Sequence, residues 1–174
     1  DQALQAYPDR LTDRLKQWAQ TVPERTFVAR RVKQADGSLG DWRHVNYQEA
    51  WTTARHIAQG LINRGLNNDK PVAILSENSI EHAMMALGCL IAGVPYVPVS
   101  PPYSLISVDY DKLKHVLNTV TPGLVFASDT RYAKAIAAAV GQDMEVVMHE
   151  GDVAGRTITR YADLCNTPVT SAVD

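Results

Sequence analysis

The chain has 174 residues, of which 45% are hydrophobic and 21% charged, with a formal net charge of −2. This mixture is typical of a globular domain with a core, and it argues against intrinsic disorder. Lys and Arg do not cluster, so we expect no nucleic-acid partner. The longest apolar run, 83–96, is interrupted by Gly and Pro and is shorter than a membrane span, so we expect no membrane partner.

The two cysteines predict a reduced protein. Cys89 lies in the apolar run 84–91, where burial as a small hydrophobic side chain is expected. Cys165 lies near the polar end of the chain, and no C-x-x-C pattern is present. A disulfide framework is therefore not expected, and a cytoplasmic location fits best.

The first elements along the chain are a helix and a hairpin. Apolar residues recur at helical spacing over 10–20. Two short β-type runs follow, at 26–29 and 42–45, with the turn signal Asp36-Gly37 between them. An Asp-Gly pair between such runs is typical of a β-hairpin.

A second helix follows the hairpin. Asn46 and Glu49 have the spacing of a capping box, in which each residue satisfies a backbone donor of the other. An apolar stripe continues from Tyr47 to Ile62, and Gly65 is expected to close the helix.

Strands and helices then alternate. The sequence predicts strands at 71–75, 94–99, 124–127 and 144–148, and helices at 78–93, 109–119, 131–140 and 161–164. Such alternation predicts an α/β fold: a mostly parallel open sheet with helices on both faces, preceded by the short β-hairpin. We treat 1–174 as a single partial domain, with an N-terminal part (1–66), an α/β core (67–150) and a tail (151–174).

No catalytic or metal-binding motif stands out. The chain has no phosphate loop and no G-x-S-x-G elbow, and the turn after the strand at 71–75 reads Ser76–Ser79 without glycine. The five histidines lack metal-ligand spacing. Glu81 and His82 are adjacent and cannot share a helix face, so we interpret them as a solvated helix start.

The most informative stretch is Leu90–Ser104. A helix ends at Gly93, a strand runs to about Val99, and a turn containing Pro101 and Pro102 follows. Loops at the carboxyl ends of parallel strands line ligand crevices. The same turn is also compatible with a rigid strand exit that has no ligand.

Three segments carry a family resemblance. His44–Ala50, Val72–Ser79 and Leu90–Pro101 resemble, in order, early motifs of the adenylate-forming superfamily, which includes acyl-CoA synthetases, peptide-synthetase adenylation domains and luciferases. The third segment departs from the usual motif at Ile91, where Lys is usual, and at Ser100, where Asp is usual. Both departures are known in branches that act on aromatic acids.

The continuation of the third motif narrows the resemblance. Residues 100–105 and 109–115 look most like the feruloyl-CoA synthetase branch. The resemblance implies a cytoplasmic ligase that uses ATP and Mg²⁺ to convert an aromatic carboxylic acid to an acyl-adenylate and then, with CoA, to a thioester. The family's phosphate loop, nucleotide contacts, magnesium-binding acid and catalytic Lys have no counterpart here. The chain is therefore expected to be an N-terminal fragment that is inactive and binds no cofactor alone.

The resemblance also implies contacts to CoA. The matching positions are Ser100 and Pro101 in the loop, and Arg131 and Lys134 at the start of a helix. Residues three apart share a helix face, so the two cations could bind a phosphate together. A solvated helix face is the alternative reading of the same pair.

Two other classes of function stay open. One is a stand-alone α/β module that binds a nucleotide or a partner without catalysis, and the other is a structural or interaction domain. A partial sheet lobe should also leave apolar surface uncovered, so we expect the chain to self-associate through it.

Overall fold

The structure is a computed structural model that describes residues 6–34 and 36–173. Residues 1–5, 35 and 174, which include both ends of the predicted domain 1–174, lie outside the described residues. The chain forms two compact units, 1–52 and 53–174, and each is described by itself.

The first unit contains the predicted helix and hairpin. Helix α1 spans Asp13–Thr21, and strands β1 (Thr26–Lys33) and β2 (Leu39–Asn46) pair antiparallel. The hairpin is confirmed, with longer strands than the β-type runs suggested. The helix starts later than position 10 because the Asp13 carboxylate accepts a hydrogen bond from the Arg10 amide (3.0 Å) and holds a turn there.

The capping box at the start of α2 (Tyr47–Asn63) is confirmed. The Glu49 amide donates to Asn46 Oδ1 (2.8 Å), and the Asn46 amide donates to Glu49 Oε2 (2.9 Å). At the other end, Gly65 adopts a left-handed conformation, as expected for a helix-closing residue.

The second unit is built on a five-stranded, wholly parallel sheet. Its spatial order is β4-β3-β5-β6-β7. The strands are β3 (Val72–Leu75), β4 (Tyr96–Pro98), β5 (Leu124–Ala127), β6 (Val146–Met148) and β7 (Thr159–Arg160).

Helices cover both faces of this sheet, which confirms the predicted fold class. The helices are α3 (Ile80–Ala92), α4 (Pro102–Leu105), α5 (Asp111–Val120), α6 (Ala133–Ala139) and α7 (Tyr161–Cys165), with 3₁₀ turns at Thr130–Tyr132 and Ser171–Val173. One face, including Ala73 and Val125, packs against α5 and α6. On the other face the Phe126 ring meets Tyr161 of α7 at 5.8 Å between centroids.

Elements α4 and β7 were not predicted, and both are short. The turn at Pro101 and Pro102 is a helical turn, α4, because proline is tolerated in the first turn of a helix, where its missing N–H would be unpaired anyway. Strand β7 has two residues, fewer than an alternating pattern needs to become visible. The helix predicted at 131 begins instead with the 3₁₀ turn, and the α-helix starts at Ala133.

Both cysteines are free thiols, and Cys89 is buried as predicted. Burial raises the pKa of the Cys89 thiol to about 12 and that of Cys165 to about 11. Both side chains are thus protonated near neutral pH and weakly nucleophilic. In the part of the chain that is described, none of the helices has the length and apolar character needed to cross a bilayer.

Candidate functional site at the carboxyl edge of the sheet

Parallel pairing brings the polar loops of the second unit to one edge of the sheet. All strands run in the same direction, so the loops after β3, β4, β5 and β6 leave from the same side. These loops begin at Ser76, Val99, Ser128 and His149. We refer to this side as the carboxyl edge, and it contains the four residues predicted from the resemblance.

Elements adjacent to the two predicted halves of the site are in contact. Ser100 is exposed and Pro101 half-buried, and both precede α4 directly. Helix α4 packs against the 3₁₀ turn Thr130–Tyr132 and against α6, which carry Arg131 and Lys134 respectively. The helix that follows β4 is therefore in contact with the turn and helix that follow β5, although about thirty residues separate them in sequence.

Arg131 and Lys134 differ sharply in their environment. Arg131 forms a forked pair with Asp129, from Nε to Oδ1 (2.8 Å) and from Nη2 to Oδ2 (2.9 Å). Its Nη2 also donates to Glu77 Oε2 (2.8 Å), in the loop after β3. Lys134 is exposed and makes no ion pair with the described residues. Arg131 is thus a poor fit for the phosphate role that the resemblance implied, whereas Lys134 remains available for it.

Hydrogen bonds within this cluster shift the pKa values of Asp129 and Arg131. Burial alone would raise the pKa of Asp129, but hydrogen bonds from Arg131 and Ser128 outweigh it and hold the pKa below its ordinary value. Hydrogen bonds to Asp129 and then to Glu77 raise the pKa of Arg131. Asp129 and Arg131 are therefore charged over the physiological range. The side chains of Asp129 and Glu77 both accept hydrogen bonds from the one guanidinium.

Tyr132 lies fully buried beside this cluster. Within residues 6–34 and 36–173, its hydroxyl forms no hydrogen bond of normal geometry. The nearby Glu77 backbone acts to lower the pKa of Tyr132, but larger effects oppose it. Burial raises the pKa of Tyr132 to about 12, and the negative charges of Glu77 and Asp129 add to the rise. The ordinary value is 10.0.

Replacing Tyr132 by Phe should reduce the sensitivity of the fold to alkali. The folded pKa exceeds the unfolded one, so the stabilisation is present below pH 10.0 and is lost as pH rises to about 12. We expect the free energy of unfolding of Tyr132→Phe, relative to wild type, to be constant below pH 10.0 and to rise above it. Urea titrations in reducing buffer measure this difference, and a difference that stays constant to about pH 12 would contradict the assignment.

Glu81 and His149 are polar neighbours that sequence reasoning missed. Glu81 is buried, with 6% of its surface exposed, rather than part of a solvated helix start. His149 Nε2 lies 3.6 Å from Glu81 Oε1, and the imidazole meets the Tyr161 ring edge-on at 5.5 Å between centroids. The pair joins the first turn of α3 to the end of β6 across 68 positions, so no local signal could have revealed it.

The edge can position charged groups, but it holds no assembled reaction centre. Within the described ranges, no three His, Cys, Asp or Glu side chains are grouped as metal ligands. Tyr132 and the two cysteines have raised pKa values, which weakens them as nucleophiles. The arrangement is suited to shaping a ligand crevice.

Comparisons with known proteins agree with this architecture. The AMP-binding enzyme family matches residues 15–166. Tyrocidine synthase 1 of Brevibacillus parabrevis is 28% identical over 106 residues, 61% of this chain and 9% of that protein. The D-alanine–D-alanyl carrier protein ligase of Bacillus licheniformis is 24% identical over 111 residues, 63% of this chain and 19% of that protein.

A solved structure shares the fold. A protein described as a long-chain-fatty-acid CoA ligase, from Rhodopseudomonas palustris, superposes with a TM-score of 0.70 at 24% identity, over 92% of this chain and 37% of the other. The chain spans less than a fifth of the length of either curated relative above. The family match covers most of the sequence, so the chain belongs to the AMP-binding enzyme family.

Proposed function

We propose that the chain is the N-terminal part of an ATP-dependent ligase that activates an aromatic carboxylic acid of the feruloyl or hydroxycinnamoyl type and transfers it to CoA. The observation that carries the proposal is the family match over residues 15–166. The segment 100–115 supports the aromatic branch, because its resemblance to feruloyl-CoA synthetases falls on α4 and the start of α5, at the carboxyl edge. We propose a cytoplasmic location, which suits the free thiols.

The proposed reaction has two steps. A carboxylate oxygen of the acid bonds to the α-phosphorus of ATP, and pyrophosphate leaves. The thiol sulfur then bonds to the acyl carbon, AMP leaves with its oxygen, and the thiol proton is released. Mg²⁺ would neutralise phosphate charge in the first step. The residues of this chain would shape the crevice, through the loop at Ser100 and Pro101 and the exposed Lys134, and the chain alone would be inactive.

A second candidate differs in the thiol acceptor. One relative is, by its name, a ligase that acts on a carrier protein, and another is a peptide synthase. The engagement of Arg131 by two carboxylates also weakens the case for a CoA-phosphate site at this edge. A thiol on a carrier protein is therefore the alternative acceptor.

The test is product analysis with the longer protein that carries this sequence. It would be supplied with ATP, Mg²⁺ and one acid at a time from ferulate, coumarate, benzoate, fatty acids and amino acids, with either CoA or a pantetheine-bearing carrier. We expect the highest kcat/KM for a hydroxycinnamate with CoA. Preference for an amino acid with the carrier would support the second candidate, and no thioester from any combination would contradict both.

Self-association of the chain remains part of this proposal. Ile106 and Val108 are 76% and 93% exposed in the second unit, and Trp42 is 59% exposed in the first. Apolar side chains exposed to this extent favour association.

A further inference from the structure

Arg131 has little hydrogen-bonding capacity left for a phosphate. A guanidinium binds phosphate best through a fork of two parallel N–H groups. The fork formed by Nε and Nη2 is occupied by Asp129, and the second N–H of Nη2 is directed at Glu77 (2.8 Å). Only Nη1 remains, and it cannot form a fork by itself.

The surrounding charge also disfavours an anion. Glu77 and Asp129 together contribute two negative charges beside one guanidinium, so the cluster is net negative. A phosphate bound at Arg131 would lie next to both carboxylates and would be repelled by them.

Further contacts fix the positions of Asp129 and Arg131. The Arg131 amide donates to Asp129 Oδ1 (3.0 Å), and Ser128 Oγ donates to Asp129 Oδ2 (2.8 Å). Tyr132, the next residue, is fully buried and anchors the turn in the core. The Arg131 side chain therefore leaves a fixed turn and points to a carboxylate that is itself fixed.

The bond to Glu77 joins two separate loops. Glu77 follows β3, and Arg131 follows β5, which is the direct neighbour of β3 in the sheet. The two residues are 54 positions apart. The contact thus connects the loops at the carboxyl ends of two adjacent strands, on the edge that contains the candidate site.

We propose that Arg131 is a positioning residue that connects the β3–α3 loop to the β5–α6 turn through its ion pairs with Glu77 and Asp129. In this role it is not a ligand for the phosphates of a thiol cofactor. Lys134 is then the cation of the predicted pair that can meet an anionic group. The inference concerns the geometry of this chain and holds for either thiol acceptor.

A double-mutant cycle tests the positioning role on the chain itself. Glu77→Gln, Arg131→Met and the double variant would be unfolded in urea at low and high salt, with Lys134→Met as the matched control. We expect each single variant at 77 and 131 to lower the midpoint, the double variant to lower it by less than the sum, and the coupling to shrink with salt. Lys134→Met should leave the midpoint unchanged. Additive effects in the cycle would overturn the positioning role.

A binding measurement tests the claim that Arg131 is not a phosphate ligand. Adenosine 3′,5′-bisphosphate, which carries the phosphates of the CoA nucleotide, would be titrated calorimetrically into the longer protein that carries this sequence and into its Arg131→Met and Lys134→Met variants. We expect Arg131→Met to change the affinity less than about twofold, the scatter usual for a side chain without direct contact. A loss of about tenfold or more in folded Arg131→Met would overturn the inference. Neither arm requires acid activation, so a failure of the proposed function would be seen separately.

Discussion

Gly151→Ala is expected to destabilise the chain by about 3 kcal/mol, because it combines backbone strain with a steric clash. Gly151 has a φ of +85°, and an added Cβ would lie 2.6 Å from Thr130 Cβ and 2.9 Å from Thr130 Cα. The Cα belongs to the backbone at the start of the 3₁₀ turn, so rotation of a side chain cannot relieve the clash. The free energy of unfolding in urea, followed by circular dichroism, measures the loss.

Gly155→Ala is the matched control for this prediction. Gly155 also has a positive φ, +71°, but an added Cβ would meet no atom within 4 Å. It should cost only the penalty for a left-handed conformation, about 1–2 kcal/mol. Equal losses in the free energy of unfolding at the two positions would show that Thr130 moves away from the added Cβ at no energetic cost. That result would contradict the prediction.

Gly88→Ala should destabilise the contact between α2 and α3 by about 1–3 kcal/mol. An added Cβ at Gly88 would lie 2.4 Å from Ile57 Cγ2 and 2.8 Å from Ile57 Cβ. Isoleucine is stiff at χ1, and its Cβ moves only with the helix backbone, so the two helices would have to separate. The loss should exceed the gain of about 1 kcal/mol that alanine brings to a helix interior.

Gly60→Ala provides the comparison within the same layer of helices. An added Cβ there would lie 2.4 Å from Leu164 Cδ1, which is the far end of a flexible side chain. Leu164 can change rotamer, so the variant should lose less stability than Gly88→Ala in the same urea titration. If Gly88→Ala were instead stabilising, as at an exposed helix position, the close approach of α2 and α3 would be refuted.

The elements that sequence predicted best are those fixed by local chemistry. Strand β5 coincides with the predicted run 124–127, because a short continuous apolar run bounded by turn signals has few alternatives inside a parallel sheet. The capping box at Asn46 and Glu49 was equally visible, since its two hydrogen bonds join residues three apart.

The elements that sequence missed depend on context. Pro101 and Pro102 act as helix breakers in the interior of a helix but are accepted at its start, so α4 could be recognised only once its position after β4 was known. Strand β7 exists because β6 offers a free edge to its two residues.

In the candidate site, too, sequence predicted some features and missed those that depend on context. The resemblance placed Arg131 and Lys134 together as cations, and packing of α4 against their turn and helix supports a shared location with Ser100. The partners of Arg131 could not be read from the sequence, because Glu77 lies 54 residues away. Burial of Glu81 beside His149 also follows from the crossover between strands, which local polarity does not encode.

The chain belongs to the AMP-binding enzyme family and carries its polar loops at the carboxyl edge of a parallel sheet. The carboxyl edge contains the loop at Ser100, Arg131 with its two carboxylate partners, and the exposed Lys134. The chemistry of acid activation would come from the rest of a longer protein, as the small share of each curated relative covered by this chain suggests.

Acid-dependent exchange of labelled pyrophosphate into ATP tests this account most directly. The assay would compare the 174-residue chain with the longer protein that carries it, at equal concentrations and with the preferred acid. We predict exchange by the longer protein and none above background by the chain alone. Exchange catalysed by the isolated chain, or its absence from the longer protein with every acid tried, would contradict the account.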